Sequence, residues 1–162
     1  MSTAVRPELV EGSATVHPEP VEGRQAQPER GFSWPVRVYW EDTDAGGIVF
    51  YANYLKFFER ARTEWLRSLG IQQQQLKEQT GGMFVVAETS IRYLRPARLD
   101  DELIVTASLL QSGRASMTIR QQALFKNTVL CEGSIRIGWV DVASLQPARI
   151  PQNIIESLRA TT

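Results

Sequence analysis

Tyr54, Phe57, Phe58, Ala61, Trp65, Leu66 and Leu69 recur at steps of three and four residues. That period lays one wide, aromatic-rich apolar stripe along a helix of about four turns. Lys56, Glu59, Arg60, Arg62, Glu64 and Arg67 fall on the other face, with Arg60 and Glu64 in i,i+4 register. Gly70 stands where a helix C-terminus favours a left-handed residue. Such a stripe asks to be wrapped by a sheet, and strand-like segments follow it at Phe84 to Tyr93, Glu102 to Leu110, Ala115 to Phe125 and Val129 to Val142. Pro96 and the acidic pair Asp100-Asp101 mark the break after the first of these, and Ser112-Gly113 and Lys126-Asn127-Thr128 are tight-turn signals between the others. Short loops make neighbouring strands antiparallel. Upstream, Val36, Val38 and Trp40 alternate with Arg37, Tyr39 and Glu41, the period of a half-buried strand. Pro151 opens a short last helix, Gln152 to Arg159, with Ile154, Ile155 and Leu158 on one side. The expectation is α+β: an antiparallel, curled sheet of about five strands wrapped around one long central helix.

The domain is expected to span 32–162, a length with enough apolar content (43% of the chain) for a real core. Residues 1–31 differ. They are rich in Pro, Glu, Gly and Gln, lack aromatics, and repeat R-P-E-L-V-E-G at Arg6 to Gly12 as H-P-E-P-V-E-G at His17 to Gly23. Two copies are too few to bury a solenoid core, so this segment reads as a disordered extension.

Eighteen basic and eighteen acidic side chains cancel, which argues against a nucleic-acid footprint. No apolar run approaches the ~20 residues of a membrane span, and no secretory signal pattern is present. The single cysteine, Cys131, cannot form an internal disulfide, so the expected compartment is the cytoplasm. The single histidine, His17, lies in the extension, which leaves a Ser-His-Asp or Cys-His mechanism without a base and a histidine-rich metal site without ligands.

The chemistry is then sought in Glu41 to Tyr54, E-D-T-D-A-G-G-I-V-F-Y-A-N-Y. Asp42 and Asp44 could end a strand, with Gly46-Gly47 making the turn. They could also serve catalysis. A helix N-terminus presents unsatisfied backbone N–H groups and a partial positive charge, a ready site for an oxyanion. With the helix starting near Tyr51 to Asn53, those groups face the loop that carries Asp44. The carboxylate could attack a carbonyl or deprotonate a water while the donors hold the developing charge. A thioester is activated enough for such an apparatus. Asn53 could serve as the helix N-cap.

The pattern D-x-D-x-x-G-I-V-x-Y-x-N-Y, running into an aromatic-rich helix, resembles the hotdog-fold acyl-CoA thioesterases of the 4-hydroxybenzoyl-CoA thioesterase family. Trp34 to Val49, Phe58 to Leu66 (F-E-R-A-R-T-E-W-L) and Arg95 to Asp101 (R-P-A-R-L-D-D) resemble the branch associated with the Tol-Pal system. The resemblance implies a hotdog fold and thioester hydrolysis. It implies Asp44 as the catalytic carboxylate, the Tyr51 backbone N–H as the group that polarises the thioester carbonyl, and Gly47 as the glycine that lets substrate approach. Asp42 is implied in support. The Tol-Pal branch commonly carries histidine where this chain has Tyr51, and the hydroxybenzoyl branch carries tyrosine. It further implies a homodimer or homotetramer with active sites between subunits, acyl-CoA as substrate, no separate cofactor because coenzyme A is part of the substrate, and an acyl-carrier protein or envelope-complex protein as a possible partner.

Basic side chains at the pocket mouth would meet the coenzyme's phosphates, and Arg114 is a candidate. Phe50, Tyr51, Phe57 and Phe58 suggest an apolar lining shared with the core. Cys131 reads as a buried strand residue. A hotdog dehydratase would need a histidine near the helix start, which the domain lacks. A non-enzymatic acyl-binding or envelope-complex role is the alternative.

Overall fold

The computed structural model describes residues 31–162; the expected extension, Gly31 apart, lies outside the described residues. The elements run β1 (Phe32–Arg37), α1 (Asn53–Ser68), α2 (Gln73–Thr80), β2 (Gly82–Tyr93), β3 (Glu102–Ser112), β4 (Ser116–Phe125), β5 (Thr128–Asp141) and α3 (Gln152–Arg159). The strands form one five-stranded sheet in the order β1-β3-β4-β5-β2, with every neighbouring pair antiparallel. The sheet expected from the strand periods and turn signals is present, and it curls around α1 as a hotdog fold requires.

Strands β3, β4 and β5 form a meander. Gly113 N–H donates to the Ser116 carbonyl at 2.7 Å in the first turn. Lys126 and Asn127 both take positive φ (47° and 63°) in the second, the left-handed pair that matches the twist of a tight hairpin. Their inward faces present Leu103, Val105, Met117, Ile119, Ile135 and Ile137, all buried, to the stripe of α1. Phe57, Phe58 and Ala61 are fully buried and Trp65 nearly so, as the helical period predicted. Helix α3 closes one end with Ile154, Ile155 and Leu158 buried, and the Trp65 indole N–H donates to Thr161 Oγ1 at 3.0 Å. Gly70 takes φ +75°, and its N–H and that of Ile71 donate to the Arg67 and Leu66 carbonyls at 2.9 Å each. This is the Schellman arrangement that satisfies orphan carbonyls at a helix end.

The structure differs from the sequence reading at four points. Trp40 does not share the buried face of Val36 and Val38: β1 ends at Arg37, and the chain enters a 3-10 turn at Trp40–Asp42 that leaves Trp40 79% exposed. The Asp42 carboxylate accepts the Tyr39 N–H at 2.9 Å, and this local bond breaks the strand. Arg62 is buried at 8% exposure rather than solvated. Arg60 does not pair with Glu64: Glu59 pairs with Arg62, Glu64 pairs with Arg67, and the Arg60 guanidinium lies 6.0 Å from the Phe57 ring centroid. Helix α2, which has only half-buried Leu76 to anchor it, was not anticipated.

Helix α1 packs over β1, β3 and β4. Strand β2, at the sheet edge beyond β5, is left open, with Val86 53% and Tyr93 48% exposed.

Candidate active site

Two pieces frame the site: the loop that follows the Trp40–Asp42 turn, and the first turn of α1. Asp42 holds them together. It is 2% exposed. Its carbonyl accepts the Phe50 N–H and the Asn53 side-chain Nδ2, each at 2.9 Å. One buried residue therefore fixes the outgoing limb of the loop, the returning limb and the helix start. Thr43 pairs with Val49 across the loop, Ile48 pairs with Arg98, and the Val49 N–H reaches the Ala97 carbonyl at 2.9 Å.

Asp44 occupies the tip. Its N–H donates to the Ile48 carbonyl at 2.9 Å, its own carbonyl accepts the Gly47 N–H at 3.0 Å, and its Oδ1 accepts the Gly46 N–H at 2.8 Å. The second carboxylate oxygen has no hydrogen-bond partner among the described residues, and the residue is exposed. Gly47 takes φ +73°, with nothing within 4 Å of where a Cβ would stand. The backbone turn, rather than crowding, is what asks for glycine there.

At the helix start, Asn53 is not an N-cap. It is the first residue of α1, and its side chain reaches back to Asp42, while Ala52 precedes it with no side-chain cap. The Asn53 N–H donates to the Phe50 carbonyl at 2.8 Å. A trans peptide sends its C=O and N–H in opposite directions, so this bond aims the Tyr51 N–H away from the helix. The N–H groups of Tyr51 and Ala52 donate to no acceptor among the described residues. They sit where the helix dipole favours negative charge. A carboxylate and unsatisfied donors are thus carried by one short, internally braced segment.

Aromatic rings surround the donors. Tyr51 is 62% exposed; its ring lies 4.6 Å from Phe50 and meets Tyr93 edge-on at 6.2 Å. Tyr93 also contacts Tyr54 at 5.7 Å, and its hydroxyl donates to the Tyr51 carbonyl at 3.0 Å. Burial pushes the Tyr54 phenol above its ordinary value, against the lowering effect of the Ala97 N–H that donates to its oxygen. Tyr93 is pushed up as well, by desolvation and then by Cys131 and Tyr51. The Cys131 thiol, buried on β5, is pushed up to about 12 by burial, with Glu132 adding to it. No base activates it, so it stays an inert thiol at neutral pH.

Apart from this cluster, Arg62, Trp65, Phe84, Val86 and Met117 help to line a small pocket of about 100 Å³ between α1 and β2. Arg62 donates from Nη1 to Gln121 Oε1 and from Nη2 to Glu59 Oε2, both at 2.7 Å, and Gln121 Nε2 donates to the Phe58 carbonyl at 3.0 Å. Burial lowers the arginine's pKa while Glu59 opposes the shift. That pocket thus has an apolar wall and one satisfied polar cluster.

Of the sequence-derived candidates, Asp42, Asp44, Gly47, Tyr51 and Asn53 come together in this segment. Arg114 does not join them within one chain. β1 leads into the site loop beside Glu102, where Arg37 pairs, whereas Arg114 follows the far end of β3. Eleven strand residues separate the two ends, roughly 35 Å at about 3.3 Å per residue. Sequence reasoning missed Tyr93. Its position as the last residue of an expected strand carried no sign that the strand would end against the helix start.

Among the described residues no group of His, Cys, Asp and Glu is placed to hold a metal, and no helix is long and apolar enough to cross a membrane. A family model described as the thioesterase-like superfamily matches residues 38–158. The acyl-CoA thioesterase YbgC of Haemophilus influenzae is 41% identical over 126 residues, which is 78% of this chain and 93% of that one. Two solved structures are similar. A probable thioesterase from Bartonella henselae has a TM-score of 0.70 and 31% identity, covering 75% of this chain and 99% of that one. A thioesterase complexed with coenzyme A and Zn, from Thermus thermophilus, has a TM-score of 0.71 and 28% identity, covering 82% of this chain and 96% of that one.

Proposed function

The chain belongs to the thioesterase-like superfamily, and on that premise we propose that it is an acyl-CoA thioesterase, hydrolysing a thioester to a free acid and coenzyme A. The observation that carries this reading is the bracing by Asp42, which ties the loop bearing Asp44 to the start of α1 where the Tyr51 N–H has no acceptor among the described residues. The thioester carbonyl oxygen accepts from that N–H, so the negative charge that grows on it in the transition state is met by a fixed donor. Asp44 acts on the carbonyl carbon. As a nucleophile it forms a mixed anhydride and expels the coenzyme thiolate, and water then cleaves the anhydride. As a general base it takes a proton from the water that attacks. Both routes use the carboxylate oxygen that the loop leaves without a partner.

Gly47 gives the loop its left-handed turn, and Asp42 and Asn53 hold the segment in register. Coenzyme A enters as part of the substrate, with no separate cofactor. The relatives named above support the reaction class. The open edge of β2 and the aromatic surface around Tyr51 support assembly with further copies of the chain, as a homodimer or homotetramer, which would cover both. A reduced buried thiol and a coenzyme A thioester both suit the cytoplasm.

The test is thiol release from short, medium, long and aromatic acyl-CoAs by the wild type and Asp44→Asn. The wild type turns over at least one class, and Asp44→Asn loses at least about a hundredfold in kcat. Full activity in Asp44→Asn overturns the assignment. Absence of turnover on every acyl-CoA moves the reading to an acyl-carrier substrate or to a non-catalytic binding role in an envelope complex.

A further inference from the structure

The structure assigns Tyr93 as a positioning residue for the carbonyl-binding turn, a role that rests on the thioesterase reading above and adds a residue to its machinery. The turn from Phe50 to Ala52 is held almost without packing. Phe50 is 42% and Tyr51 62% exposed. Hydrogen bonds therefore have to fix it. On the near side they are those from Phe50 N–H and Asn53 Nδ2 to the Asp42 carbonyl, and from Asn53 N–H to the Phe50 carbonyl. On the far side the only tie among the described residues is the Tyr93 hydroxyl, 3.0 Å from the Tyr51 carbonyl. The helix begins at Asn53 and Leu55 N–H bonds Ala52, so the Tyr51 carbonyl stands before the helical ladder.

The effect on the donors follows from peptide geometry. The Tyr51 carbonyl and the Ala52 N–H belong to one planar trans unit, so fixing the first fixes the direction of the second. The neighbouring unit, Phe50 carbonyl and Tyr51 N–H, is fixed by Asn53 in the same way. Without Tyr93 the second unit is free to rotate, and the Ala52 N–H, the second unbonded donor of the turn, is no longer held in its direction. Tyr93 is a suitable anchor. It ends β2 opposite Cys131, and the next two N–H groups, of Leu94 and Arg95, bond the Leu130 carbonyl at 2.8 and 3.0 Å. Its ring meets Tyr51 edge-on and Tyr54 at a tilt. The rigid sheet is thereby joined to the exposed turn by one hydroxyl.

Tyr93→Phe keeps the ring contacts and removes only the hydroxyl. It is compared with the wild type, Asp44→Asn and Ser157→Ala, using the acyl-CoA that the wild type cleaves best. Ser157 also loses a bonded hydroxyl, but that hydroxyl serves the Asn153 carbonyl within α3 instead of the turn. In Tyr93→Phe, kcat falls by about tenfold to a hundredfold while KM stays within about twofold, because a donor has lost its aim and the ground-state contacts have not. The melting temperature is retained, Ser157→Ala keeps the wild-type kcat, and the Ala52 backbone amide NMR signal broadens in Tyr93→Phe alone. An unchanged kcat in Tyr93→Phe, or an equal loss in Ser157→Ala, overturns the inference while an inactive Asp44→Asn leaves the thioesterase reading standing. Equal activity of the wild type and Asp44→Asn overturns that reading instead. An Ala52 amide signal as sharp as in the wild type overturns the tie whatever the turnover.

Discussion

At its C-terminus α1 closes on itself: Gly70 turns left-handed, and the Arg67 and Leu66 carbonyls are taken by the next two free N–H groups. At its N-terminus the same helix has no side-chain cap, and the N–H groups of Tyr51 and Ala52 meet no acceptor among the described residues. The surroundings differ in the same sense. Trp65 is 1% exposed near the closed end, whereas Tyr51 is 62% exposed at the open one. The closed end obeys every rule for a stable helix terminus. The open end departs from those rules while keeping its backbone braced from both sides, which is how a chain can hold donors for a ligand without losing the helix. The difference separates what keeps the molecule folded from what it keeps available.

Substitutions at the two ends should therefore be read out by different instruments. The largest expected effect is at the closed end. Trp65→Ala removes an indole packed in the core and bonded to Thr161, and costs about 3–5 kcal/mol of unfolding free energy in urea titration. The protein that remains folded should keep its turnover per site; a collapse of kcat without loss of stability would erase the distinction between the ends.

Next comes Asn53→Ala at the open end. It loses the buried bond to the Asp42 carbonyl, for roughly 1–2 kcal/mol, and should lower turnover by more than that stability loss explains. An Asn53→Ala enzyme with normal kcat would show that the loop does not need the helix to hold it. Smallest is Gly70→Ala, which forces a Cβ into a left-handed residue for about 1 kcal/mol and leaves the rate unaltered. A rate effect there would mean that the closed end reaches the site.

Much of this contrast was legible beforehand because it is local. The period of Tyr54 to Leu69 fixes a helix and its buried face, Gly70 marks its end, and Asp44 with Gly47 marks a loop of unusual content. The strands of the meander were equally plain, since turn residues separate them at short range. What escaped was whatever depends on a distant partner or a single local bond. Arg62 looks like any solvated helix arginine until Gln121, from β4, is found beneath it. Trp40 continues a strand pattern until the Asp42 carboxylate takes the Tyr39 N–H and stops it. Tyr93 becomes informative only once β2 is known to lie at the sheet edge, against the helix start.

The strand order β1-β3-β4-β5-β2 also bears on how the chain is made. Both edge strands and the central helix lie in the first half of the domain, and every strand they pair with lies in the second. On a ribosome working at roughly 5–20 residues per second, β2 emerges and then waits several seconds for β5. Throughout that interval the apolar face of α1 has no sheet to lie on. The meander of β3, β4 and β5 has short-range pairings and can assemble first. The part that carries the open helix end is synthesised early but takes its final form late, and in the nascent chain it is the part most in need of shelter.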